Sequence, residues 1–222
     1  MREIAVFGGP GSGAMVVQSV QRLGAAGEDF SASGLLNDQL AIGTAVAGSP
    51  VLGTFDSWRT LPAGTAFIAP LHKARAMQAR AARILSLQVP AARWANVVDP
   101  NAIVAPDAAV GEGSYLAPFA LVDAGARVGR HAGLWPAAQI GHDCVAEDFV
   151  FVGRGAIVCG RCTIGVGSYI GAGAVVSDGL KLGRFCVVGA GAVVVRDVPD
   201  HAVVAGRPAR VIGRLDPHDD PV

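Results

Sequence analysis

One short stretch gathers groups that could move a proton: 137-AAQIGHDCVAEDF-149, in which His142 stands beside Asp143. An imidazole, with an ordinary pKa of about 6.5, is suited to take the proton of an attacking amine or hydroxyl. A neighbouring carboxylate can fix the ring tautomer and stabilise the imidazolium. The bland alternative is a solvated surface pair, which these residue types also make. Adjacent residues of a strand point to opposite faces, so this pair meets only if a turn intervenes, or across two chains. Two further stretches carry recognisable chemistry. Cys159-x-x-Cys162 is half of a zinc or redox motif. The glycine turn 8-GGPGSGA-14 contains Gly9-x-Gly11-x-x-Ala14, a variant of the dinucleotide fingerprint. Its physical basis is a helix N-terminus whose bare N–H groups favour phosphate.

What positions His142 is a repeat. Stepping by six from Val98 to Val194 gives 17 positions, of which 16 are Val, Leu or Ile and one is Ala146. Four residues after each, 14 of the 17 sites hold Ala, Ser or Cys, among them Ala102, Ser114, Cys144, Ala174 and Cys186. Gly often follows the aliphatic residue directly, as at Gly111, Gly141, Gly153 and Gly189. A period of six fits neither a helix nor a plain strand. It fits a triangular coil with one short strand and one turn per side, the aliphatic residue inside and the small one where the wall bends. In this reading glycine supplies the turn conformations. Three hexapeptides make a coil, and each coil buries its core by stacking on the next. Cys144, Cys162 and Cys186 fall on the small position, which makes them wall residues rather than ligands.

The first 95 residues follow another rule. Residues 2–8 read as a buried strand, followed by the glycine turn and an apolar-periodic helix through Val16, Val17, Val20 and Leu23. Further strands are expected to end near 34-GLLND-38 and to cover 50-PVLGTF-55 and 65-TAFIA-69, with an amphipathic helix over 72–88. This is a small α/β domain with about four parallel strands. The domains expected are 1–95, a β-helix over 96–214, and a polar tail over 215–222.

Eighteen Lys and Arg balance 18 Asp and Glu, which gives no electrostatic reason to expect nucleic acid or an anionic membrane as partner. No apolar run approaches the roughly 18 residues of a membrane span. The start, MREIAVFGGPGSG, lacks a signal-peptide core with a cleavage site, so a cytoplasmic location is expected.

The hexapeptide pattern, with 189-GAGAVVVRDVP-199 and 206-GRPARVI-212, resembles the left-handed β-helix of the hexapeptide-repeat acyltransferases. The order of a small nucleotide-type domain before a β-helix is similar to the sugar acetyltransferases of the sialic-acid, bacillosamine and perosamine type. Their I-G-H-[DE]-C segment stands here as 140-IGHDC-144. The resemblance implies a homotrimer with acetyl-CoA as co-substrate in the groove between neighbouring β-helices; with the cysteines in the wall, no metal is expected. It implies His142 as base, Asp143 as its partner and the Gly160 N–H as the donor to the thioester oxyanion. It also implies pantetheine along Gly160, Ala172 and Ala190, taken as one continuous face. Nucleotide-sugar contacts would come from Gly11, Ser12, Gly13, Asn37 and Asp38. Several family positions differ here. Ser12 replaces a His of the glycine turn, 35-LLND-38 replaces F-L-D-D, and Phe151 replaces a second His nine residues past the base. Most of these departures lie where the family holds its nucleotide sugar, so acyl transfer is expected to be kept and the acceptor to differ. The leading expectation is N-acetylation of a nucleotide-linked amino sugar of the 4-amino-4,6-dideoxy type. Acetylation of a sugar hydroxyl and non-catalytic binding of a nucleotide sugar are the alternatives.

Overall fold

The computed structural model describes residues 2–216. The apolar run behind Arg2 forms β1 (Arg2–Phe7), whose last four residues are buried. Gly8–Gly11 turn the chain into α1 (Ser12–Ala25), which buries Val16, Val17, Val20 and Leu23. β2 (Phe30–Leu36), β3 (Ala45–Val46), β4 (Ser49–Gly53) and β5 (Ala66–Ile68) complete a sheet of order β3-β4-β2-β1-β5. Pairing is parallel between β1 and β2, β1 and β5, and β2 and β4. The four parallel strands are therefore as read from sequence, but β3 adds a two-residue antiparallel edge that was not expected. The second helix, α2 (Met77–Ser86), is shorter than the 72–88 expected. His72 is instead held in a loop against the second domain.

From Val97 the chain winds into stacked triangular coils of two-residue strands. Up to the last coil each strand pairs in parallel with the one 18 residues on: Leu121 with Gln139, then Gln139 with Ile157; the closing turn shortens this to 16, as in Val187 with Val203. Three faces result. The first carries Tyr115–Leu116, Gly133–Leu134, Phe151–Val152 and Tyr169–Ile170. The second carries Gln139–Ile140 and Ile157–Val158, the third Val145–Ala146 and Thr163–Ile164. The repeat's aliphatic and small residues fill the interior, from Leu116 and Ala120 to Val194 and Val198. The coils end in an antiparallel hairpin, Ala202–Gly206 with Ala209–Arg214. Leu215, which falls in the expected tail, is tied to it through a bond from its N–H to the His201 carbonyl. Residues 217–222 of that tail lie outside the described residues.

The glycine after the aliphatic residue does not serve the turn. Its φ is not positive; a Cβ at Gly141 would lie 2.8 Å from the backbone of Cys159 and Gly160 in the next coil. Those glycines let the coils stack. The positive-φ residue is two positions later, and many such sites are not glycine: Phe119, His131, Ala137, Asp143, Phe149, Arg161 and Phe185.

The first domain sits on the first face. Ser19 and Arg22 of α1 both donate to the buried Asp99 carboxylate at 2.8 Å, and the Tyr115 hydroxyl lies 3.0 Å from Ser19 Oγ. Burial pushes the Asp99 carboxyl up, but hydrogen bonds from Asn101, Arg22 and Ser19 outweigh it and hold its pKa below the ordinary value. The His72 ring lies over Gly133, where a Cβ would come within 2.6 Å of it, and its Nε2–H donates to the His131 carbonyl at 3.1 Å.

Candidate functional site

The turn that the His-Asp pair needed is present. Asp143 has φ 57°, a conformation Asp tolerates better than most residues, and its N–H is anchored to the Ala124 carbonyl of the preceding coil at 2.9 Å. The bend brings the Asp143 carboxylate round to His142, whose Nδ1–H donates to Asp143 Oδ2 at 2.9 Å. That bond leaves Nε2 as the acceptor nitrogen. Both side chains are open to solvent, at 44% and 65% exposure. The imidazole lies across Gly160, one coil on at the same corner; a Cβ there would overlap Nε2 and come within 2.7 Å of Cε1. Any side chain at 160 would push the ring away. The Gly160 N–H donates to Asp178 Oδ1 at 3.1 Å.

Ala172 and Ala190 do not continue this face within one chain. Gly160 follows a second-face strand, whereas Ala172 and Ala190 follow the first-face strands Tyr169–Ile170 and Val187–Val188. The spacing of 12 between Gly160 and Ala172 is two sides of the triangle, not a full coil. The corner of His142 and Gly160 is the vertex opposite the face covered by the first domain. The corner of Ala172 and Ala190 borders that covered face.

At this second corner lies a cleft of about 360 Å³ between the domains, with Ser12 on one side and Arg154 and Ala172 on the other. Its wall is aromatic. Phe151 stacks on Tyr169 with centroids 4.3 Å apart, and Trp135 and His72 pack on Phe151 at 5.7 and 5.3 Å. The Arg154 guanidinium stands 5.4 Å over the Trp135 ring, with Nη2 2.9 Å from Sδ of Met15 in α1. Burial pushes the His72 imidazole down to about 4, so it is neutral at pH 7.

The other expected contacts divide. Gly11 has open space around it, and Ser12 lines the cleft. Gly13 is structural: a Cβ would lie 3.0 Å from the Gly8 carbonyl carbon and from Leu35. Asn37 is spent on the chain, donating to the Gly8 carbonyl at 3.0 Å and accepting from the N–H groups of Gln39 and Leu40. Asp38 Oδ1 accepts the Phe55 N–H at 2.7 Å, and its other oxygen lies 3.4 Å from Arg83. The cysteines 144, 162 and 186 are free and buried in the coil wall. Among the described residues no group of three or more His, Cys, Asp or Glu could hold a metal, and no helix is long and apolar enough to cross a membrane.

Nothing in residue type alone singles out Arg154, Trp135, Tyr169 or His72 in the sequence. Register could have found Arg154: like His142 it stands two places after an inward aliphatic, at an outward corner.

No family model matches the chain, and no curated protein matches it by sequence. Solved structures do. The acetyltransferase domain of PglB from Neisseria gonorrhoeae FA1090, in complex with acetyl coenzyme A, is 31% identical with a TM-score of 0.83, over 95% of this chain and 99% of that one. A histidine-to-asparagine mutant of perosamine N-acetyltransferase from Caulobacter crescentus, in complex with CoA and GDP-perosamine, is 26% identical with a TM-score of 0.82, over 95% and 97%. WeeI from Acinetobacter baumannii AYE is 29% identical with a TM-score of 0.79, over 94% and 99%.

Proposed function

We propose that this chain, which belongs to the hexapeptide-repeat sugar acetyltransferases, acetylates the amino group of a nucleotide-linked 4-amino-4,6-dideoxy sugar, with His142 as general base. Acetyl-CoA is the acetyl donor. The observation that carries the reading is the His142–Asp143 pair, fixed by a positive-φ turn at an exposed corner directly over Gly160.

The chemistry follows from that geometry. The neutral amine attacks the thioester carbon, a C–N bond forms, and the carbonyl oxygen becomes an oxyanion that accepts the Gly160 N–H. His142 Nε2 takes the proton leaving the amine, and the Asp143 carboxylate stabilises the imidazolium. The C–S bond then breaks and the imidazolium returns the proton to the CoA sulfur.

The acceptor belongs in the interdomain cleft. The first N–H groups of α1, at Ser12 and Gly13, and the Arg154 guanidinium supply donors for a pyrophosphate. Phe151, Tyr169 and Trp135 offer the sugar an apolar wall, which suits a ring whose sixth carbon is a methyl group. Asn37 and Asp38 shape this site through the loops they hold.

Cleft and base lie at different corners, so one chain does not complete the site. A ring of three copies does, with the Ala172–Ala190 corner of each chain against the His142 corner of the next. The apolar side chains exposed beside these corners support it: Phe119 at 68%, Ile103 at 64% and Val145 at 41%. Pantetheine then lies between Ala172 and Ala190 of one copy and Gly160 of its neighbour.

The test is CoA thiol release from acetyl-CoA with UDP-, dTDP- and GDP-linked amino sugars, and free sialic acid as hydroxyl control. Turnover on one amino sugar is expected. Turnover on the hydroxyl control alone would replace N- by O-acetylation. Acetyl-CoA binding without turnover on any acceptor would end the reading.

A further inference from the structure

Gly160 is expected to donate to an oxyanion, yet its N–H is already engaged by a carboxylate, Asp178 Oδ1 at 3.1 Å. A fixed negative charge there is the wrong neighbour for a developing oxyanion, and it occupies the donor the oxyanion needs. The same capping arrangement recurs at the third corner in another form. The N–H groups of Arg130 and Arg184 donate to Asp148 and Asp200 at 2.7 and 2.9 Å. In both, the arginine's own side chain also grips that aspartate through Nε and Nη2, at 3.0 and 2.7 Å for Arg130 and 3.1 Å twice for Arg184. Those two caps are locked by three hydrogen bonds each.

At the His142 corner the lock is missing, because the capped residue is a glycine. Asp178 keeps one hydrogen bond and a looser neighbour, the Arg161 guanidinium at 3.9 Å. Both side chains are mostly exposed, at 58% and 61%, so solvent rather than packing surrounds them.

We infer that Asp178 is a displaceable cap on the Gly160 N–H, which the thioester oxygen of acetyl-CoA dislodges towards Arg161. Asp178 is thus a positioning residue: it holds the donor when the acetyl group is absent and retakes it when CoA is the species bound. The inference rests on Gly160 being the oxyanion donor. It makes a distinction the transfer reaction alone does not: acetyl-CoA must compete with Asp178, and CoA, which lacks the carbonyl, does not.

The experiment is titration calorimetry of acetyl-CoA and of CoA on the wild type, Asp178→Ala and Asp178→Asn, with turnover measured alongside. Removing the carboxylate should tighten acetyl-CoA by about two- to fivefold, the size of an exposed charged contact, and leave CoA unchanged. Asp178→Asn keeps a neutral acceptor and should give a smaller gain, and it decides the matter if the alanine variant melts early. Equal shifts for both ligands, or weaker acetyl-CoA binding, would mean the carboxylate only supports the corner. With wild-type turnover intact, that outcome overturns the cap and leaves the acetyltransferase reading standing. Loss of that reading shows separately, as acetyl-CoA binding without turnover on any acceptor.

Discussion

In the β-helix, what a residue does follows from its place in a six-residue count; in the sheet domain it follows from particular contacts that no count describes. At the His142 corner the interior is filled by Ile140 and Cys144, and the exposed side chains of His142 and Asp143 between them are free to carry chemistry. In the sheet domain the residues best placed for a ligand also hold the fold. Gly13 is pressed on Leu35, Asn37 caps the loop after β2, and Asp38 holds the Phe55 N–H. A repeat therefore separates function from stability, whereas a small irregular domain makes them share side chains.

The sharpest way to break this comparison is His142→Ala. Turnover should fall by about 10²- to 10⁴-fold, while the melting temperature stays at the wild-type value. A large drop in melting temperature would show that the corner is not separable from the core.

Acid should act on the seam between the regions. Burial pushes both His72 and His131 down to about 4 from an ordinary 6.5. The unfolded chain therefore binds these protons first. The stability from keeping both rings neutral is complete above pH 6.5 and is lost as pH falls towards 4, by roughly 3 kcal/mol per ring. Melting curves across that window test it; a His72→Gln, His131→Gln double variant should flatten the slope.

Asp99→Ala leaves Arg22 and Ser19 without their shared partner. A loss of about 3 kcal/mol is expected, seen as faster hydrogen exchange in α1 than in the coils. Equal acceleration in both regions would mean they unfold as one.

Two glycine substitutions make the smallest and most local test. Gly141→Ala sets a Cβ 2.8 Å from the next coil's backbone and should cost about 2 kcal/mol. Gly155→Ala meets nothing within 4 Å and has only its φ of 61° against it, so about 1 kcal/mol is expected. Equal melting-temperature shifts would mean that stacking and turn conformation are not distinct demands.

The two regions were also unequally legible. The β-helix, its core and the adjacency of His142 and Gly160 could be read from sequence because one period fixes all three. The same count, taken modulo 18 rather than six, separates Ala172 from Gly160. In sequence these glycines read as turn residues because close backbone approach and positive φ both select glycine, and only the folded backbone tells the two demands apart. The aromatic cleft was illegible: Trp135, Phe151 and Tyr169 belong to the repeat, but the Ser12 turn and His72 that face them come from chain more than 60 residues away in sequence. Asp178 is not legible in the sequence because its role depends on the residue one coil above having no side chain.

The parallel register of 18 residues between stacked strands also bears on how such a protein can change over generations. Duplicating one 18-residue coil after Val194 would lengthen the solenoid and leave His142 over Gly160, at the cost only of moving the closing hairpin off the Val187–Val188 strand and onto the added coil. The same duplication between His142 and Gly160 would part the base from its donor by a whole storey. Insertions in this chain thus have a natural unit, and their harm is decided by address rather than by size.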